Sequence, residues 1–358
     1  MKSFMFDLFR NVIGFFAGIV FTTLFQKPVN NLCDRIYRLI FSIFRNNTHS
    51  LGNTFRIGNR NTNIVIIDGD GRACFDDKNI NVHIDNNKPF EWPSEVALCY
   101  NNTLNIIERK RKMNEQTPWN GSILNLWKYR IERTPNREDY SIHLFMSEES
   151  YYHAYSTITN LENPSYALKE KYIDSFVFEN ENPYMLPNAM GICILIRTKD
   201  SKAIFSIRSS SSGYRPGESD VSVVEGLSPQ LDVQNRTISF TDVATRAIQE
   251  ELCNVETESI NVALLGIIFD KCYNQWNVIC HVDLDLTQND IILRRNNGAS
   301  GKWELKSLDF IQYSPREIIM YLATHKMWDS GIATTYFSLI HCGYSYDSIN
   351  KLSTKYIH

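Results

Sequence analysis

Between residues 190 and 283 the sequence alternates short apolar runs with one amphipathic segment, and that order admits few folds. Residues 190–197 and 203–208 read as strands joined by a polar turn over 198–202. A loop containing Gly213, Pro216 and Gly217 leads to a short strand-like run over 221–226. Residues 262–269 and 276–282 read as a hairpin around 271–275. Between the strand groups a helix is predicted over 241–253. Ser239 or Thr241 can cap it, Asp242 supplies negative charge to its first turn, and Val243, Ala247, Ile248 and Leu252 form its apolar side. The pattern predicts a mixed sheet over 190–283 with that helix packed beside it, and an α+β class for the chain.

Residues 246–252 read Arg-Ala-Ile-Gln-Glu-Glu-Leu. Positions 247, 250 and 251 stand at i, i+3 and i+4 and share one helix face. Carboxylates at all three would form a platform for a hard divalent cation, which takes several oxygen ligands. Glu250 and Glu251 are present, whereas position 247 is Ala. The plainer alternative for adjacent glutamates is a solvated helix face.

The segment order and this run resemble the Nudix hydrolase superfamily over roughly residues 186–345. The family pattern has a Gly, then a Glu, then Arg-Glu-hydrophobic-X-Glu-Glu-X-Gly on a loop–helix–loop. Arg246, Ile248, Glu250 and Glu251 match it, and Glu225 with Gly226 resembles the glycine-containing turn that enters the motif. The interval to Arg246 is longer than the compact form. The upstream Glu falls on Ile238, and the closing Gly on Cys253 or Asn254. The resemblance implies a catalytic group of Arg246, Glu250 and Glu251, with Glu225 and Gly226 on the ligand side. It also implies Mg2+ or Mn2+ held by Glu250, Glu251 and a Glu from a late loop, for which Glu304 is the candidate. Ala247 stands where a carboxylate commonly acts as ligand or base, so Ala247→Glu is expected to raise metal-dependent hydrolysis.

The amino terminus carries a different signal. Residues 11–26 contain no charge, slightly short of the roughly 17–25 residues of a spanning helix. Phe4, Met5, Phe6, Leu8 and Phe9 extend the apolar side upstream, and Gly14 and Gly18 form a Gly-x-x-x-Gly pair suited to close helix packing. No convincing signal-peptide cleavage site follows. After Pro28 comes an amphipathic segment with Leu32, Ile36, Leu39, Ile40, Ile43 and Phe44 on one side and Asp34, Arg35, Arg38 and Arg45 among them. Residues 1–45 therefore read as a membrane anchor of one or two helical segments. Lys27, Arg35, Arg38 and Arg45 after the first segment place the remainder in the cytoplasm.

Residues 46–62 are polar and read as a linker. Residues 63–185 read as an accessory α+β domain, with a strand at 64–67, another at 81–84, a helix from Pro93 to about Met113, paired strands at 126–133 and 139–146, and a helix bearing Tyr151, Tyr152 and Tyr155. Asp68-Gly69-Asp70-Gly71 reads as a turn rather than a metal loop. Residues 186–345 form the Nudix-like domain with its mixed sheet and flanking helices, and 346–358 a tail. A formal net charge of −3 argues against a long nucleic acid as partner. The eight cysteines include no Cys-x-x-Cys pair, so a familiar zinc framework is excluded and reduced thiols are expected.

The combination of anchor and Nudix-like domain resembles the membrane-anchored Nudix effectors of the CBASS anti-phage system. That resemblance implies a cyclic oligonucleotide as ligand, a homo-oligomer in the bacterial inner membrane, and lipid disruption as the outcome. A working hydrolase acting on a nucleoside diphosphate-linked substrate is the competing expectation.

Overall fold

The computed structural model describes residues 54–86, 91–133, 140–179, 181–210, 215–298 and 305–357. The predicted anchor and Glu304 lie outside them. Among the described residues no helix is long and apolar enough to cross a membrane.

The chain from Asn53 to His358 is one compact unit. It opens with a small hairpin, β1 (Arg56–Ile57) and β2 (Arg60–Asn61), then β3 (Ile64–Asp68) and β4 (Ile80–Ile84). Helix α1 (Ser94–Lys112) follows, then the long pair β5 (Ser122–Arg133) and β6 (Tyr140–Ser150), and α2 (Tyr151–Thr159). The next strands are β7 (Ala189–Thr198), β8 (Lys202–Arg208), β9 (Ser219–Val221) and β10 (Val223–Gly226). A one-turn helix α3 (Pro229–Asp232) precedes α4 (Phe240–Glu251), the helix of the Arg-Glu-Glu motif. Strands β11 (Ile260–Asp270) and β12 (Gln275–Leu284), helix α5 (Gln288–Gly298) and β13 (Leu305–Gln312) come next. Helices α6 (Pro315–Thr324), α7 (Asp329–His341) and α8 (Tyr346–Tyr356) end the chain.

Eight strands form the main sheet, in the order β13-β8-β7-β12-β11-β3, with β10 on β7 and β9 on β8. Only β7 and β12 run parallel, so the sheet is mixed, as expected. Alternate residues of β7 enter opposite cores, because successive side chains of a strand point to opposite faces. Met190, Ile192, Ile194 and Ile196 pack on one side with α4, and Cys193 and Leu195 pack on the other with α6, α7 and α8. The sheet therefore has helices on both faces.

The run predicted as one strand over 221–226 is two strands split at Ser222. β7 and β8 meet only at Arg197 and Ala203 near their turn and then diverge. β9 and β10 enter the opening, one on each side. Ser222 sits at the fork: its hydroxyl accepts from the Ile196 amide at 2.8 Å and donates to the Ile204 carbonyl at 2.6 Å. A short polar side chain satisfies both diverging backbones where no ladder partner exists.

Two segments differ from the expected division. Within the predicted linker, Ile57 is fully buried in the core with α6–α8. β3, placed by sequence in the accessory region, is hydrogen-bonded to β11 as the edge of the main sheet. β4, β6 and β5 make a separate three-stranded sheet. It is tied to the main sheet by buried amides: Asn188 accepts from the Leu126 amide at 3.1 Å and donates to the Leu126 carbonyl at 2.8 Å, while its own amide donates to Asn125 at 2.9 Å. The predicted tail folds as α8. The Asp68–Gly71 segment is a turn, with Asp70 Oδ1 accepting from the amides of Arg72 (2.8 Å) and Ala73 (3.3 Å).

Candidate functional site

Helix α4 begins where Ser239 Oγ accepts from the Asp242 amide at 3.1 Å. A second cap comes from far upstream. Asp77 accepts from the amides of Phe240 (2.9 Å) and Thr241 (3.0 Å) and from the Ser239 hydroxyl (2.8 Å). A carboxylate there satisfies orphan donors and meets the positive end of the helix dipole. The helix ends at Glu251, one turn after Arg246. Arg295 Nη1 donates to the carbonyl of Glu251, its last residue, at 2.6 Å, and the chain just beyond is held by Arg294 donating to the Asn254 carbonyl at 3.2 Å and Gln249 to that of Val255 at 2.8 Å.

Arg246 is the centre of an ion-pair cluster. Its Nε and Nη2 donate to the two oxygens of Asp232 at 2.8 and 3.0 Å, a bidentate fork. Nη1 donates to Glu250 at 3.0 Å and to Glu225 at 3.3 Å. Although burial opposes its charge, these carboxylates, Asp232 foremost, raise the Arg246 pKa. Glu251 is almost wholly buried at 8% exposure and lies against Glu225. Burial pushes the Glu225 pKa up, and the nearby Glu250 charge adds to this, against the opposing pull of Arg246 and of Glu251.

The structure thus brings together Glu225, Arg246, Glu250 and Glu251. Gly226 ends β10 opposite Gly191, and a side chain added to Gly226 would meet nothing within 4 Å. Close approach instead belongs to Gly191, where an added Cβ would lie 2.8 Å from the Glu225 carbonyl. Asp232, the strongest partner of Arg246, was not among the expected residues. It lies fourteen positions upstream on α3, at a spacing no periodicity predicts. Ile238, at the place of an upstream Glu, is buried in the core.

The expected metal set of Glu250, Glu251 and Glu304 is described only in part, because Glu304 lies outside the described residues. Ala247 is fully buried in the core, so the helix face at 247 turns inward rather than toward an open platform. Among the described residues no three His, Cys, Asp or Glu side chains converge as metal ligands do. The cation at the centre of these acids is the guanidinium. Two surface cavities, of about 460 and 530 Å³, are lined by residues around Tyr344 and around Arg197 and Asp283, and neither is lined by the Arg246 cluster.

What fold and cluster define is an α+β protein whose mixed sheet carries an arginine-centred acidic helix at one core. No family model matches the sequence, and no curated protein matches it. Several solved structures align with part of the chain, three of them as follows. DR0079 from Deinococcus radiodurans is 17% identical over 41% of this chain and 80% of its own, with a TM-score of 0.28. The MutT protein from Methanosarcina mazei Go1 is 14% identical over 44% and 94%, with a TM-score of 0.28. The Nudix hydrolase RenU from M. smegmatis is 8% identical over 41% and 80%, with a TM-score of 0.27.

Proposed function

We propose that the chain is a membrane-tethered effector of CBASS-type anti-phage defence, in which a Nudix-like unit binds a cyclic oligonucleotide without turning it over efficiently. The observation that carries the binding-without-turnover part is the state of α4. Arg246 already pairs with Asp232, Glu225 and Glu250, and Ala247 lies in the core. The helix retains the Nudix-like charge pattern as an internal ion-pair network and lacks a third open carboxylate. Arg294 and Arg295 lie beside the acidic end of the helix and supply positive charge for a phosphate. The uncharged run over 11–26 and its Gly14/Gly18 pair support the tether and its self-association. Ligand binding that favours the oligomer would shift its population by mass action.

The test is dye entry into cells expressing the full chain, or a chain lacking residues 1–45, together with a cyclic-oligonucleotide synthase. Permeability is expected only with the full chain and an active synthase. Equal toxicity of the two forms would overturn the membrane role.

A second reading, a metal-dependent hydrolase of nucleoside diphosphate-linked substrates, is favoured by one contact. The neighbouring Glu225 and Glu251, with the Glu225 pKa raised by burial, form the kind of acidic pair that a divalent cation can displace a proton from. Mn2+-dependent phosphate release by the natural protein, lost in Glu251→Gln, would establish it in place of the first.

A further inference from the structure

On the opposite core from α4, five polar side chains from four parts of the chain meet. Residues 281 and 283 stand at i and i+2 of β12 and share a face. Arg197 is the register partner of Asp283 on the parallel strand β7 and grips it through two bonds, of 2.6 and 3.0 Å. His281 Nε2 lies 3.2 Å from Asp283 Oδ1 and 3.4 Å from the sulfur of Cys342, the residue that caps the C-terminus of α7. The Tyr313 hydroxyl stands 3.3 Å from the same sulfur and also donates to the Ser338 carbonyl at 3.2 Å. The His281 ring is 1% exposed, and its Nδ1 has no hydrogen-bond partner among the described residues. Cys342 is half-buried, and Arg197 and Asp283 also line the 530 Å³ surface cavity.

We infer that Cys342 is a reactive thiolate site, built by His281, Asp283, Arg197 and Tyr313, that takes peroxide-class oxidants. Transfer of the Cys342 thiol proton to His281 Nε2 gives a thiolate beside an imidazolium. Once protonated, Nε2–H lies between two anions, the thiolate and the Asp283 carboxylate, and Arg197 makes the set neutral overall. The thiolate sulfur then attacks one oxygen of hydrogen peroxide. An S–O bond forms and the O–O bond breaks. Sulfur loses two electrons, and the departing hydroxide takes the proton from imidazolium to leave as water. The net change is thiol plus peroxide to sulfenic acid plus water.

The electrostatics agree with the geometry. Burial alone would push the Cys342 thiol up. The His281 bond and charge, the Tyr313 hydroxyl and Arg197 together bring it below its ordinary value. His281 moves the other way: burial disfavours its charge, but Asp283 and Cys342 raise its pKa above the ordinary value. Among the described residues the further titratable neighbour is His341, whose ring is 5.3 Å from that of His281; burial and the His281 charge lower its pKa. Cys74, 3.6 Å from His341 Nδ1, is exposed, and burial raises its pKa. It is therefore an internal reference.

The test uses full-length protein. Iodoacetamide labelling from pH 5 to 9, and peroxide treatment followed by dimedone, are read at each cysteine by peptide mass spectrometry. At pH 6 Cys342 is expected to alkylate about ten-fold faster than Cys74, and to form the dimedone adduct. In His281→Gln the midpoint of the Cys342 profile should rise by about one unit. A wild-type Cys342 midpoint at or above that of Cys74 overturns the proposal, whether or not any variant folds. An unchanged Cys342 profile in folded His281→Gln does the same.

Discussion

Position 247 shows how one residue decides what a motif can do. In sequence, Ala247 marks a missing ligand, and Ala247→Glu should restore it. In the fold, its side chain is fully buried among apolar residues. Glu251, on the same face one turn later, is accommodated because it lies at the helix end against Glu225. Glu250 is 43% exposed in its side chain and answers to Arg246 instead. A carboxylate at 247 would be desolvated beside Glu251 with no cation to meet it, since Arg246 is already held by three acids. Ala247→Glu should therefore destabilise the protein by about 2 kcal/mol or more. Urea denaturation would measure this, and a gain in Mn2+-dependent hydrolysis at unchanged stability would contradict it. The match of Arg246, Glu250 and Glu251 to a family pattern was legible from residue types alone. Their partner Asp232 was not, because its place is set by α3 folding back onto α4.

At the scale of elements, the strands and the long helix of 190–283 follow from pattern. The strand runs at 190–197, 203–208, 262–269 and 276–282 and the helix at 241–253 all appear within a few residues of expectation. Apolar periodicity signals which backbone conformation buries the most surface, and each of these segments has one clear answer. Ser222 breaks the one run that failed, because its hydroxyl replaces ladder bonds at a fork formed by two other strands. The start of α4 combines both cases. Ser239 is a cap readable from sequence, whereas Asp77 reaches the same helix from 162 residues upstream. Asp77→Ala leaves two helix amides and the Ser239 hydroxyl without their acceptor. It should cost about 1–2 kcal/mol, roughly as much as losing a local cap. Differential denaturation of Asp77→Ala and Ser239→Ala would check this: a negligible effect at Asp77 would mean that Ser239 alone holds the helix start.

At the scale of the whole molecule, a pair of buried acids joins distant segments. Asp270, at the end of β11, accepts from the amides of Cys272 (2.8 Å) and Tyr273 (3.1 Å), from Trp328 Nε1 (2.5 Å) and from Ser330 (3.3 Å). Asp329, at the start of α7, accepts from the Asn63 amide at 2.9 Å and pairs with Arg60 at 2.5 Å. The hairpin end of the unit, the main sheet and α7 are thereby held together. Burial, and then the Asp329 charge, push the Asp270 pKa up to about 7, against the pull of its donors. An ordinary unfolded Asp titrates near 3.9, so the folded state holds an extra proton between about pH 4 and 7. The stability this proton contributes is fully present below pH 4 and is lost as pH rises through about 7. Unfolding free energy should accordingly fall between about pH 4 and 7, and the fall should be smaller in Asp270→Asn. Equal pH slopes for the two proteins in denaturant titrations would refute it.

The sequence by itself determined the α+β class, the succession of strands and the helix over 190–283, and the acidic run with its arginine on α4. These depend on side-chain periodicity and local capping, which act within a few residues. Only the tertiary structure decided that β3 joins the main sheet, that Ala247 faces the core, that Asp232 and Asp77 serve α4, and that Cys342 meets His281. Each of these rests on contacts between segments far apart in the chain. Their partners are chosen by how the layers pack, and packing leaves no periodic trace in the sequence.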